Sequence, residues 1–186
     1  MRIIAGKFKG RTVKFPKSNL VRPTTDKTKE SLFNYLVHSM DFDGIKVCDV
    51  YAGSGSLGLE ALSRGAGEVH FVEKDFHVSK MLEENIVSLN AKDDCKIFRM
   101  EAVKFSKISE HDSYDLILAD PPFFKFDIHD AVKNLLERNY LNDDGILIIE
   151  RSIQTKKEDE AAFGIEAFKK IGDSLIYQFE KSPREN

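Results

Sequence analysis

The 186 residues carry 28 Lys+Arg against 31 Asp+Glu, a formal net charge of −3, with 41% hydrophobic and 32% charged side chains. A chain of this length can bury most of its apolar surface without a disulfide or metal staple, and its composition is that of a folded domain, not a disordered one. No run of 18 apolar residues offers a membrane span, the N-terminus lacks a signal-type apolar core, and Cys48 and Cys95 make no disulfide framework, which predicts a reducing cytoplasm.

The charge is unevenly spread. Residues 1–36 hold nine basic and two acidic side chains, a net +7, which leaves −10 on the remaining 150. A basic arm on an acidic body suits an anionic partner, or is a solvated lysine-rich hairpin; charge alone does not choose. Within the arm, Ile4, Phe8, Val13 and Phe15 form a short apolar alternation broken at Gly6 and Gly10, which predicts a small β-hairpin ending at Pro16. A hinge is expected over 17–22, dividing an arm at 1–21 from one domain at 22–186. Pro23 keeps Arg22 extended, and Thr25 or Asp26 caps a helix with Leu32, Phe33, Leu36, Val37 and Met40 on one face. Asp43-Gly44 ends it.

Strands and helices then alternate. Strands are predicted at 45–50, 68–73, 95–100, 114–119 and 145–150, each short, rich in Val, Ile or Leu and buried on both faces. Helices are predicted at 57–64, 76–90 and 129–140, the second carrying Val78, Met81, Leu82, Ile86 and Leu89 at helical spacing, with a weak helix at 102–106. This order requires a mostly parallel sheet covered by helices on both faces, an α/β fold. The stretches 165–171 and 174–180 flank Gly172-Asp173 and read as a closing hairpin that adds an antiparallel edge strand.

Three places carry chemistry. Asp49 to Gly58 (Asp-Val-Tyr-Ala-Gly-Ser-Gly-Ser-Leu-Gly) is a strand end, a glycine turn and a helix start, where backbone can approach a ligand closely. Without a ligand, it is simply a tight turn. Glu73 ends the second strand 20 residues after Gly53, where a carboxylate can accept both ribose hydroxyls of a nucleoside. These two features fit either a nicotinamide dinucleotide or S-adenosylmethionine. Asp49 favours the second, because a carboxylate before the glycine turn suits an ammonium group better than a pyrophosphate. It also suits a purely structural role in shaping the loop.

The third place is Asp120-Pro121-Pro122-Phe123, directly after a buried strand. It sets an acid, a rigid carbonyl and an aromatic ring together. Asp120 and the Pro121 carbonyl can each accept one N–H of an exocyclic amine while Phe123 stacks on its ring. Held this way, the nitrogen lone pair is aimed for in-line attack on an electrophilic methyl. His38, His70, His77, His111 and His129 are scattered without metal-ligand spacing, so no metal site is expected, and Glu158-Asp159-Glu160 reads as a solvated helix face.

With these motifs in place, the chain resembles the class I S-adenosylmethionine-dependent methyltransferases with an Asn/Asp-Pro-Pro-aromatic motif. Within them it resembles the bacterial 16S ribosomal RNA guanine-N2 methyltransferases of the RsmD type. The stretches that carry the likeness are residues 2–11, 22–26, 30–34, 49–62 and 120–123, with Gly172-Asp173. The resemblance implies a Rossmann-like, mostly parallel sheet of seven strands and methyl transfer to N2 of one guanine in 16S ribosomal RNA. The substrate would be the small subunit or an assembly intermediate. It implies that Asp49, Gly53, Gly55, Glu73 and Ala102 hold the cofactor and that Asp120, Pro121 and Phe123 hold the guanine, beside Pro122. Arg22, Pro23 and Thr24 would line the lip. Glu101 stands where the pattern often has Asp or Asn before Ala.

Because the body is acidic, RNA phosphate contacts are expected in the arm at Lys7, Lys9, Arg11 and Lys14, interleaved with Phe8 and Phe15. Nothing signals an obligate dimer, so a monomer is expected. The competing readings are an amino methyltransferase acting on DNA or a protein glutamine, a nicotinamide-dependent oxidoreductase, and an RNA-binding assembly factor without turnover. The oxidoreductase leaves Asp120–Phe123 and the basic arm unexplained.

Overall fold

A computed structural model describes residues 1–16, 26–122 and 124–181. Its strands are β1 (Lys46–Val50), β2 (Glu68–Val72), β3 (Cys95–Phe98), β4 (Tyr114–Ala119), β5 (Leu141–Ser152), β6 (Lys169–Ile171) and β7 (Ser174–Glu180). Its helices are α1 (Asp26–Ser39), α2 (Ser56–Arg64), α3 (Phe76–Ser88), α4 (Ala102–Phe105), α5 (Asp127–Glu137) and α6 (Lys156–Phe163). One sheet of order β3-β2-β1-β4-β5-β7-β6 contains every strand. The first five are parallel, and β7 runs antiparallel to both β5 and β6. None of the described helices is long and apolar enough to cross a membrane.

Alternate residues of the central strands feed two cores. Val47, Val69, Phe71, Leu116, Leu118 and Ile148 join α1, α2 and α3 on one face, and Cys48, Val50, Ile117, Leu147 and Ile149 join α5 on the other. This is why those strands read as unbroken apolar runs. Burial on both faces fails for β3, an edge strand whose side chains are half-buried or exposed. Val37 is also 44% exposed, so the buried face of α1 narrows to Leu32, Phe33 and Leu36. α5 opens at Asp127 instead of His129, and the closing hairpin's first strand is confined to 169–171.

The N-terminal hairpin is reduced to one antiparallel bridge, Arg2 with Thr12, but its segment is firmly docked. Ile3 and Val13 are buried in the core shared with α1 and α2. Glu60 of α2 accepts hydrogen bonds from the Ile4 and Ala5 N–H groups at 2.8 and 3.1 Å and from Arg64 Nε at 2.9 Å. The fully buried Lys29 Nζ lies 3.4 Å from Glu60 and donates to the Arg2 carbonyl at 2.7 Å. Burial holds the Lys29 ammonium below its ordinary pKa, against the opposing pull of Glu60. Gly6 closes the contact: a Cβ there would lie 1.7 Å from the Ser63 carbonyl oxygen, and its φ of +78° is in the left-handed region. The expected hinge at 17–22 and the boundary at 21/22 lie outside the described residues.

Candidate active site

A cavity of about 490 Å³ opens at the carboxyl ends of β1, β2 and β4. In an open parallel sheet, ligands bind where strand order reverses, and here it reverses at β1, between β2 and β4. The cavity is lined by Asp49, Gly53, Glu73, Ala102, Asp120, Pro121 and Pro122, so the structure brings seven of the expected site residues together.

The β1–β2 side is tightly hydrogen-bonded. Asp49, 1% exposed, accepts the Gly58 N–H at 2.8 Å and so ties the strand end to the first turn of α2. Burial pushes its carboxyl well above the ordinary carboxylate range, and the nearby Asp120 and Glu73 carboxylates add to the rise. Glu73 accepts the Gly53 N–H at 3.0 Å and the Asp75 N–H at 2.7 Å, closing the glycine loop onto the end of β2. Gly53 has open space at its Cβ position, as a backbone facing a ligand requires. Gly55 does not line the cavity; a Cβ there would fall 2.4 Å from Leu82 Cδ1, so its lack of a side chain serves packing against α3.

The β4–α5 side is different. Asp120 follows β4, Pro121 is buried, and the Pro122 carbonyl accepts the Lys125 N–H at 3.0 Å to close a tight turn. Phe124 beyond it is 71% exposed and Phe126 is 45% exposed. Phe123 lies outside the described residues, as do Arg22, Pro23 and Thr24.

Behind this turn sits a buried polar cluster. Asp159 is fully buried, accepting from Arg151 Nε at 2.9 Å and Thr155 Oγ1 at 2.6 Å and pairing with His129 Nε2 at 2.7 Å. The Arg151 guanidinium lies 6.0 Å from the Phe126 ring centre, and His129 packs against the same ring. The solvated face predicted for Glu158-Asp159-Glu160 therefore fails at its centre, because Asp159 turns inward to meet a buried arginine.

The arm residues are elsewhere. Lys7 pairs with Asp94, the residue before β3, at 3.7 Å, and its N–H donates to the Ser63 carbonyl in the last turn of α2. Arg11 Nη2 donates to the Ser88 carbonyl at the end of α3, and Lys14 pairs with Glu84 at 2.9 Å. Lys7 and Arg11 are thus at the amino-end edge of the sheet, away from the cavity, and Lys9 is exposed on the turn between them. The same segment returns to the cavity through Met1, Phe15 and Pro16.

Sequence reasoning missed Tyr51, Lys74, Phe124, Lys125 and Asp127, all of which line the cavity. Tyr51 carried a usable signal: it stands between a strand end and the glycine turn, and its φ is +67°, a strained value for a residue with a side chain. Its hydroxyl and Asp127 Oδ1 are both buried without a hydrogen-bond partner. Burial and the neighbouring Asp127 carboxylate push the Tyr51 phenol up.

The family model described as "Conserved hypothetical protein 95" matches residues 1–180. The Haemophilus influenzae ribosomal RNA small subunit methyltransferase D is 36% identical over 153 residues, covering 81% of this chain and 78% of that one. Its Escherichia coli K12 namesake is 32% identical over 154 residues, covering 83% and 76%. Among solved structures, "Putative methyltransferase yhhF from Escherichia coli" superposes with a TM-score of 0.82 at 26% identity over 99% of both chains.

Proposed function

The chain belongs to the conserved hypothetical protein 95 family, the family of ribosomal RNA small subunit methyltransferase D, and on that premise we propose the reaction it performs. It transfers a methyl group from S-adenosylmethionine to the exocyclic N2 of a guanine in 16S ribosomal RNA, in the small subunit or an assembly intermediate. The observation that carries this reading is the placement of Asp120 and Pro121 in one cavity with Asp49, Gly53 and Glu73.

The residues present fit this cofactor. Its α-ammonium and sulfonium are cationic, and the cavity wall offers Asp49, Glu73, Glu101, Asp120 and Asp127. Such a wall repels a pyrophosphate, which argues against a dinucleotide. Bound S-adenosylmethionine would supply one thing, a methyl group made electrophilic by the sulfonium.

The protein's residues do the rest. Glu73, braced by Gly53 and Asp75, keeps lone pairs for the ribose hydroxyls, and Gly53 lets backbone come close. Ala102 with Val72, Val78 and Met100 forms an apolar wall suited to a flat base. Asp49 stabilises positive charge from a buried position where water does not screen it. Asp120 and the Pro121 carbonyl take one N–H each of the guanine amine and fix its lone pair toward the methyl group. With the cofactor bound, the N2–carbon bond would form as the sulfur–carbon bond breaks, its electron pair leaving with S-adenosylhomocysteine, and Asp120 would be the adjacent acceptor for the proton that N2 sheds.

The test is methyl transfer from labelled S-adenosylmethionine to unmodified small subunits and to naked 16S RNA, followed by nucleoside mass spectrometry. N2-methylguanine is the expected product, and the better substrate identifies the recognised state of the RNA. Methylation of DNA or of a protein glutamine instead would retain the amine chemistry and overturn the substrate.

A further inference from the structure

The acidic wall that suits a cationic cofactor creates a difficulty for the substrate. An RNA backbone approaching this cavity meets five carboxylates, and of the described basic side chains expected to receive it, Lys7 and Arg11 dock away from the cavity. Lys7 and Lys14 are already paired with Asp94 and Glu84, and Arg11 is spent on a backbone carbonyl. Only two basic side chains line the cavity among the described residues, those of Lys74 and Lys125.

These two come from opposite rims. Lys74 directly follows Glu73 on the β1–β2 side, and Lys125 follows the Asp120–Pro122 turn on the β4–α5 side. Both side chains line the one opening, and their interaction raises Lys74 above the ordinary lysine range while holding Lys125, the more buried, below it. Neither makes an ion pair with a carboxylate among the described residues, although Glu101 and Asp127 are near enough to attract both. Two like charges held together unpaired are relieved by an anion placed between them. Next to Lys125 the Phe124 ring is 71% exposed, and an aromatic face beside cations is the recurring platform for an unstacked nucleotide.

We propose that Lys74 and Lys125 form a two-sided clamp for one phosphodiester of the RNA strand that delivers the target nucleotide, with Phe124 stacking beside it. This rests on the RNA substrate proposed above. The clamp spans the mouth between the cofactor side and the amine-holding turn, so it anchors the strand where the nucleotide must leave its stack to reach Asp120. It also lets an acidic protein bind RNA locally, at the place where the chemistry occurs.

The experiment compares wild type with the Lys74→Gln/Lys125→Gln double variant, and with Phe124→Ala alone. Three quantities are read: affinity for unmodified 16S RNA against salt, affinity for S-adenosylhomocysteine, and single-turnover methyl transfer. Lys74 is exposed and Lys125 half-buried at the rim, so neither change threatens the fold. The double variant is expected to bind RNA about tenfold more weakly, with a log–log salt slope shallower by about 0.7–0.9, the loss of one phosphate contact. Its affinity for S-adenosylhomocysteine should be unchanged. Phe124→Ala should weaken RNA binding without altering the slope. RNA affinity and slope equal to wild type in the double variant, with wild type methylating normally, overturn the clamp and leave the substrate reading intact. A loss confined to S-adenosylhomocysteine affinity overturns it too, by assigning the lysines to the cofactor carboxylate. Failure of wild type itself to methylate RNA overturns the substrate reading, and the clamp with it.

Discussion

The two sides of the cavity are built by opposite rules. On the β1–β2 side each carboxylate already has a backbone partner: Asp49 holds Gly58, and Glu73 holds Gly53 and Asp75. On the β4–α5 side the turn ends in exposed phenylalanines and Lys125, and its support comes from the buried Asp159 cluster behind it. The first side is preorganised for one small ligand of fixed shape. The second is held from the rear and left open in front, as suits part of a large polymer. Rigid placement of the cofactor and access for RNA therefore do not compete for the same residues.

The sharpest way to break this contrast is to remove the rear support. Asp159→Ala removes the buried carboxylate that Arg151, His129 and Thr155 share, which should cost about 3–5 kcal/mol of stability. Denaturant melts would register it, and below the melting range S-adenosylhomocysteine affinity should persist while methyl transfer falls. Equal loss of both would show that the two sides are not separable. Asp120→Ala should lower single-turnover methyl transfer by about 10²–10³-fold with cofactor affinity retained. Turnover near wild type in that variant would remove Asp120 from the amine-holding role.

On the other side, Asp49→Asn should weaken S-adenosylmethionine binding by about tenfold or more without changing RNA affinity, in equilibrium titrations of each ligand. The same residue sets a pH dependence. Its raised pKa means that the free protein keeps the carboxyl protonated above the ordinary carboxylate range, and a cationic ligand favours the ionised form. Affinity should therefore rise with pH through that window, with a proton released on binding. Calorimetry in buffers of different ionisation enthalpy would detect the proton, and Asp49→Asn should abolish the effect. Gly6→Ala should lower stability by at least about 1–3 kcal/mol in denaturant melts, from a strained φ and a forced contact with the Ser63 backbone.

Legibility in the sequence followed the range of the interaction. The glycine turn and the Asp120–Pro122 turn are local patterns at strand ends, and Glu73 was readable from its own strand end and its spacing of 20 residues from Gly53. The inward turn of Asp159 depends on Arg151 and on His129, 30 residues away, and the burial of Lys29 depends on Glu60. No local pattern distinguishes such residues from solvated charges. The docking of the arm was hidden for a similar reason. Their number and spacing were visible, but the side of the sheet they dock on is fixed by Gly6, Ser63 and Glu60. Lys74 and Lys125 were missed because each is unremarkable until the sheet sets them across one opening.

The N-terminal segment reaches from Met1, Phe15 and Pro16 at the cavity to Lys7 at the opposite edge, where it is fastened to Ser63. It forms a tie-rod under the cavity wall, joining the far anchor at Ser63 to Phe15 and Pro16 at the cavity. A mutation near Ser63, remote from every reacting atom, would then present as a catalytic defect.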